Sequence, residues 1–272
     1  MDVPDGRRHP DQPFQHEQVR HRAGPGHAVL PPRRRHTMNT PLLGSLGTRY
    51  KALVIGASGA LGQAFCQLLR ADAHCASVRE LSRGSSPALD LEAPSSIAEA
   101  AAALADEGPY QLIVHAAGLL HRAGVAPEKS LAAIEAEALQ TVFQVNALGP
   151  ALVLRHFLPL LDAQGAMAML SAKVGSIGDN RLGGWYAYRS SKAALNMLIR
   201  TAAIELARSK PRARLLSLHP GTVISPLSQP FRGALAARPA EQAARELLRV
   251  IDSLGAEHSG SFHAYDGQPL PW

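Results

Sequence analysis

Tyr188 and Lys192 stand four residues apart within a stretch, Tyr186–Ala207, that reads as a helix. Side chains four apart on a helix share one face, so a phenol and an ammonium become neighbours. A free tyrosine ionises near pH ~10 and is a poor proton carrier at neutrality. A lysine ammonium beside it favours the phenolate and brings that value down. Such a phenol can exchange a proton with a carbonyl oxygen while a hydride moves at the carbon. The same spacing also arises as a surface pair on an amphipathic helix, so its meaning depends on what surrounds it.

Two further groups belong to a nucleotide. Gly56-Ala57-Ser58-Gly59-Ala60-Leu61-Gly62 follows a short apolar run and precedes a helical pattern. Glycines there let the backbone turn sharply and approach a pyrophosphate, which the helix N-terminus attracts with free N–H groups and partial positive charge. A tight turn with no ligand is the plainer reading of the glycines alone. The second strand ends in Ser82-Arg83, where an acid would accept from the adenosine ribose and repel a 2′-phosphate. Arg83 instead offers a partner for that phosphate, which favours NADP(H) over NAD(H). Asp90 and Leu91 follow, the carboxylate placed to accept from an adenine amino group.

These residues need a scaffold that brings strand ends together. Apolar runs predict strands at Lys51–Ile55, Ala76–Leu81, Leu112–His115, Ala166–Leu170, Arg214–Leu218 and Ser261–Tyr265. Helical spacing predicts helices at Leu61–Ala71, Pro94–Ala105, Tyr186–Ala207 and Ala240–Leu254, with one long helical region over about Ile134–Leu161. Strands alternating with helices imply an α/β fold, a doubly wound parallel sheet of about seven strands with helices on both faces.

Residues 50–272, about four-fifths of the chain, resemble the short-chain dehydrogenase/reductase family. The matching pieces come in the family's order: the glycine turn from Gly56 to Gly62; Asp90-Leu91; His115-Ala116-Ala117-Gly118; Asn146 in Val-Asn-Ala-Leu-Gly-Pro; Tyr188 and Lys192; and Pro220-Gly221-Thr222-Val223. Gly175-Ser176-Ile177-Gly178-Asp179-Asn180 and the closing Asp266–Trp272 are similar to the C-factor-like branch with its carbonyl-reductase relatives. The resemblance implies a Rossmann fold and an NAD(P)-dependent oxidoreductase acting on a small carbonyl or alcohol substrate. It makes Tyr188 the general acid/base and has Lys192 hold the nicotinamide ribose and tune Tyr188. Asn146 would keep a water in a proton relay beyond Lys192. Ala116, Ala117 and Gly118 would line the adenosine side, Pro220, Gly221 and Val223 would cover the nicotinamide, and Ile224–Leu235 would form a substrate loop.

The chain departs from that pattern twice. Ala60 replaces the usual middle glycine of the turn. At the end of the fourth strand, Leu170-Ser171-Ala172 stands where the family carries two serines, the second orienting the substrate carbonyl. Ser171 is one residue early and would face the other way on a strand. Ser171 and Ser176 are the candidates to supply the missing hydroxyl. The departure also leaves room for a dinucleotide-binding regulatory or signalling protein with little turnover.

The net charge of +6 invites a nucleic-acid reading, but residues 1–36 hold seven arginines against four acids and so carry half of it. A basic tail on an ordinary enzyme explains this better, and no nucleic-acid partner is expected. Residues 1–48, rich in Pro, Arg and His, show no periodicity and are expected to be a disordered tail ahead of a single domain at 49–272. The scattered tail histidines, and a cysteine pair (Cys66, Cys75) with no CxxC spacing, argue against a metal site. No apolar run reaches the ~18 residues of a membrane span, and a cytoplasmic location is expected. Helices ending near Leu161 and Ala207 offer a face for a homodimer or tetramer.

Overall fold

The computed structural model describes residues 42–231 and 237–272. Six parallel strands, among the described residues, form one sheet: β1 (Tyr50–Ile55), β2 (Cys75–Leu81), β3 (Tyr110–His115), β4 (Leu161–Leu170), β5 (Arg214–His219) and β6 (Phe262–Ala264). Their spatial order is β2-β1-β3-β4-β5-β6. The chain first winds outward to β2 and then crosses back past β1 to β3. The switch point between β1 and β3 opens a crevice at the carboxyl ends of these strands.

The inner strands β1, β3, β4 and β5 carry apolar runs because both faces are covered, whereas the edge strand β2 is largely exposed. On one face Val54, Leu112 and Val114 pack with α1 (Ala60–Arg70) and α6 (Ala240–Ser253). On the other, Ile55, Ile113 and Met169 pack with α2 (Pro94–Ala103), α4 (Gly149–Phe157) and α5 (Tyr186–Ser209). The period-two alternation of each strand divides its side chains between these two cores.

The long helix expected over Ile134–Leu161 is three pieces. α3 (Ala136–Phe143) passes into a π turn, Gln144–Leu148, and then into α4. Pro150 has no N–H and cannot donate to the carbonyl of Asn146, so the helix widens there, and the Gly149 N–H donates to the Gln144 carbonyl five residues back. Pro159 lies in the 3-10 turn that ends this region, and β4 already starts at Leu161. The domain also begins before residue 49. Leu43 is fully buried against the α1/α6 core, and the Ser45 N–H donates to Asp252. A buried leucine and a few hydrogen bonds hold a segment whose composition reads as tail. The remainder of the expected tail, and 232–235 of the expected substrate loop, lie outside the described residues.

Candidate active site

The carboxyl edges of β1, β2, β3, β4 and β5 border a cleft of about 1060 Å³. Gly56, Ser58, Gly59, Ala60 and Leu61 form its floor at the N-terminus of α1. Gly56 has φ +84°, and a Cβ there would lie 2.7 Å from the Ala117 nitrogen, so the turn presses directly against the loop after β3. A Cβ on Gly62 would run into the Gly56 carbonyl oxygen and lie 2.8 Å from the Ala57 Cα. Gly62 therefore serves helix-to-turn packing and does not line the cleft. Arg83, Asp90 and Leu91 border the cleft beyond β2, with Ala116, Ala117 and Gly118 beside them. Arg83 is exposed and forms no ion pair among the described residues. This cradle fits a dinucleotide: a close-approach glycine turn at a helix N-terminus, a guanidinium at one end and the phenol at the other.

At that other end, α5 delivers Tyr188 and Lys192, and the Lys192 Nζ lies 5.9 Å from the Tyr188 ring centroid. Lys192 is buried, donates to the Leu170 carbonyl at 3.0 Å, and burial pushes its ammonium down to about 8. Burial likewise pushes the Tyr188 phenol up to about 12. The expected downward pull of lysine on tyrosine is thus not what governs the phenol here. The structure keeps the phenol protonated.

Asn146 is fully buried in the π turn and does not reach the cleft surface. Its Oδ1 accepts from the Leu119 N–H at 2.8 Å, and its Nδ2 donates to the Leu119 carbonyl at 2.7 Å and to Ser191 Oγ at 3.1 Å. It fixes the loop after β3 against α5. A Cβ on Gly118 would sit 3.4 Å from both Asn146 Oδ1 and Lys192 Nζ, so these groups converge beneath that glycine.

The serine candidates fare differently from expectation. Ala172 lines the cleft and presents a methyl group. Ser171 borders the cleft, but its Oγ is buried and has no hydrogen-bond partner. Ser176 lies away from the cleft lining, with its Oγ accepting from the Asp179 N–H at 3.1 Å. Neither hydroxyl replaces the one missing at Ala172, because the backbone turns both away from the opening.

Pro220, Gly221 and Val223 border the cleft as expected. Arg238 holds them: its guanidinium donates to the Pro220 carbonyl at 2.5 Å, pairs with Glu246 and lies 3.4 Å over the Tyr265 ring. Sequence reasoning missed Arg238 and the cleft residues His121, Trp185 and His219, while Phe231 falls within the expected substrate loop without having been singled out. Their shared signal is a position just past a strand or in the segments flanking Tyr188 and Val223. Burial and nearby cations push His219 down to about 4. His115, fully buried with both ring nitrogens unpartnered, is pushed down to about 3 by burial and by Lys192. Both rings are therefore neutral at pH 7.

A family model described as enoyl-(acyl carrier protein) reductase matches residues 64–253. A Rhodococcus 1-hydroxy-2-glutathionyl-2-methyl-3-butene dehydrogenase is 34% identical over 186 residues, 68% of this chain and 79% of that one. The C-signal protein of Myxococcus xanthus is 44% identical over 133 residues, 48% of this chain and 76% of its own length. Among solved structures, the carbonyl reductase Sniffer of D. melanogaster superposes with TM-score 0.70 at 22% identity, covering 83% of this chain and all of that one. An NADPH-bound carbonyl reductase from chicken fatty liver gives 0.71 at 22% identity, over 83% and 95% of the two chains. With the glycine turn and the Tyr188–Lys192 pair in one cleft and Asn146 buried behind it, the chain belongs to the short-chain dehydrogenase/reductase family of NAD(P)-dependent oxidoreductases, with the C-signal protein among its relatives.

Proposed function

We propose that the protein reduces the carbonyl of a small molecule with NADPH in preference to NADH, using Tyr188 as proton donor. The observation that carries this reading is the cleft itself, which runs from the unpaired guanidinium of Arg83 to the protonated phenol of Tyr188. The cofactor supplies the hydride. Ser58, Ala60 and Leu61 would offer backbone N–H groups to its pyrophosphate, while the Gly59 N–H closes the turn on the Gly56 carbonyl, and Arg83 would pair with the 2′-phosphate. Asp90, Ala117 and Gly118 border the adenosine, and Pro220 to Val223 border the nicotinamide. Tyr188 gives its proton to the substrate oxygen. Lys192, anchored on the Leu170 carbonyl, holds the nicotinamide ribose and stabilises the phenolate left behind. Asn146 positions the loop beneath that lysine.

The test is NADPH consumption against a panel of aldehydes, ketones and quinones, with NADH run beside it. NADPH should give the higher kcat/KM, and Arg83→Ala should weaken NADPH alone, by roughly 1–3 kcal/mol for a charge-assisted pair. Equal affinities for the two cofactors would sink the preference. A second reading, a dinucleotide-binding sensor with little turnover, draws on the methyl of Ala172 at the usual hydroxyl position. A parent that binds NADPH and reduces nothing, but gains activity on Ala172→Ser, would establish that reading instead.

A further inference from the structure

Beyond the phenol, the substrate half of the cleft has an aromatic wall. Trp185 stands edge-on to Tyr188, with ring centroids 6.2 Å apart at 73°. Phe231 tilts against Trp185 at 5.1 Å and meets His121 edge-on at 5.5 Å. All four rings are half-buried and border the cleft, so part of each stays open to it. They come from three separate segments, two of which are pinned by hydrogen bonds. Trp185 holds a left-handed backbone, φ 54°, a conformation that costs a non-glycine residue. Its N–H donates to the Glu128 carbonyl, and the buried Glu128 carboxylate accepts from the Ala187 N–H in the first turn of α5. His121 is tied through Nε2 to the carbonyls of Pro226 and Leu227 at 3.1 and 3.2 Å.

Charge lies elsewhere in the cleft. Glu92 and Arg122 pair in a two-pronged bridge at 2.7 and 2.9 Å, and Glu92 feels Arg83, which places this group at the adenosine end. Lys173 is matched by Asp179 at 3.3 Å. A substrate placed against Tyr188 therefore meets ring faces and edges, with Val174 and Leu227 beside them. Among the described residues, the cation next to Tyr188 without a carboxylate partner is Lys192, which is anchored on the Leu170 carbonyl and in the proposed reading is taken by the nicotinamide ribose. Rings that pack offset or edge-to-face against Trp and Phe gain beyond their buried area.

Resting on the proposed carbonyl reduction, we propose that the substrate is an uncharged aromatic ketone or aldehyde, its ring packed on Trp185 and Phe231 and its oxygen facing the Tyr188 hydroxyl. The carbonyl carbon accepts hydride from the reduced cofactor, which is oxidised. The oxygen accepts the phenol proton, and solvent returns a proton to the phenolate.

The experiment compares acetophenone, cyclohexyl methyl ketone and 4-acetylbenzoate with NADPH, using the full chain and the variants Phe231→Leu and Trp185→Leu/Phe231→Leu. The parent should favour acetophenone over the cyclohexyl ketone by about tenfold in kcat/KM, the scale of two ring contacts. That ratio should fall toward one in the variants, with NADPH affinity retained, and 4-acetylbenzoate should be the poorest substrate. If the double variant fails to bind NADPH, Phe231→Leu alone decides, since it changes only the loop ring. A parent ratio of one, a ratio untouched by the variants, or a preference for the carboxylate would overturn the proposal. If no ketone turns over, calorimetric binding to the NADP⁺ complex separates the two claims. An aryl preference that the variants abolish upholds the aromatic site and rejects carbonyl reduction; equal or absent binding rejects the aromatic site.

Discussion

At the scale of single residues, burial sets the chemistry. Tyr188 and Lys192 are both driven toward their neutral forms by burial at the base of the cleft. For a carbonyl reductase this is the useful state of the phenol, since a donor must hold its proton. Tyr188→Phe removes one oxygen and keeps the ring on Trp185. NADPH affinity should survive, and turnover should fall ~10²-fold or more, the contribution expected of a positioned proton donor. Robust activity in that variant would rule out the assigned donor. Lys192 adds a pH signature. Its ammonium is pushed down to about 8, so it loses charge as pH rises through that value. The kcat/KM for reduction, which reports the free enzyme, should descend on the alkaline side near pH 8. Lys192→Arg should remove that descent, because a guanidinium stays charged throughout. A flat profile to pH ~10 in the parent would contradict the role given to Lys192.

At the scale of elements, the site depends on close backbone approach. The first turn packs on itself through Gly62 and on the next loop through Gly56. Gly62→Ala places a methyl against the backbone of Gly56 and Ala57, which have no side-chain rotation with which to yield. It should cost roughly 1–3 kcal/mol of stability and weaken NADPH with it. Thermal unfolding with and without NADPH checks this; an unchanged midpoint would show that the turn has slack. The π turn is a second such device. Pro150 widens the helix where Asn146 must reach both Leu119 and Ser191, tying α3 and α4 to the loop after β3 and to α5.

At the scale of the molecule, the domain closes on a segment ahead of its first strand. Leu43 is buried between α1 and α6, the Ser45 N–H bonds to Asp252, and Arg214 donates to Ser45 Oγ at 2.7 Å. Deleting residues 1–47 should lower the unfolding midpoint, since losing a buried leucine alone costs about 2–5 kcal/mol. Deleting residues 1–37 keeps all three contacts and should leave the midpoint and NADPH affinity unchanged. Equal midpoints for the two truncations would show that the Leu43 contact contributes nothing. No helix among the described residues is long and apolar enough to cross a membrane.

The sequence by itself determined the sheet, the glycine turn and the Tyr188–Lys192 pair, because each rests on local rules: strand runs buried on both faces, a turn that only glycine fits, and the four-residue repeat of a helix. Pro150 was equally legible, but helical periodicity runs straight through a π turn, so the break at Asn146 appeared only in three dimensions. The tertiary structure alone decided which hydroxyls face the cleft. It seals Ser171 Oγ and turns Ser176 toward Asp179, a matter of one residue's course at the end of β4. It also decided that burial outweighs the lysine at Tyr188, and that Trp185, His121 and Phe231 meet at all. Those three rings lie in segments distant along the chain, and no local rule couples them; only the convergence of loops at the carboxyl edge of the sheet brings them to one wall.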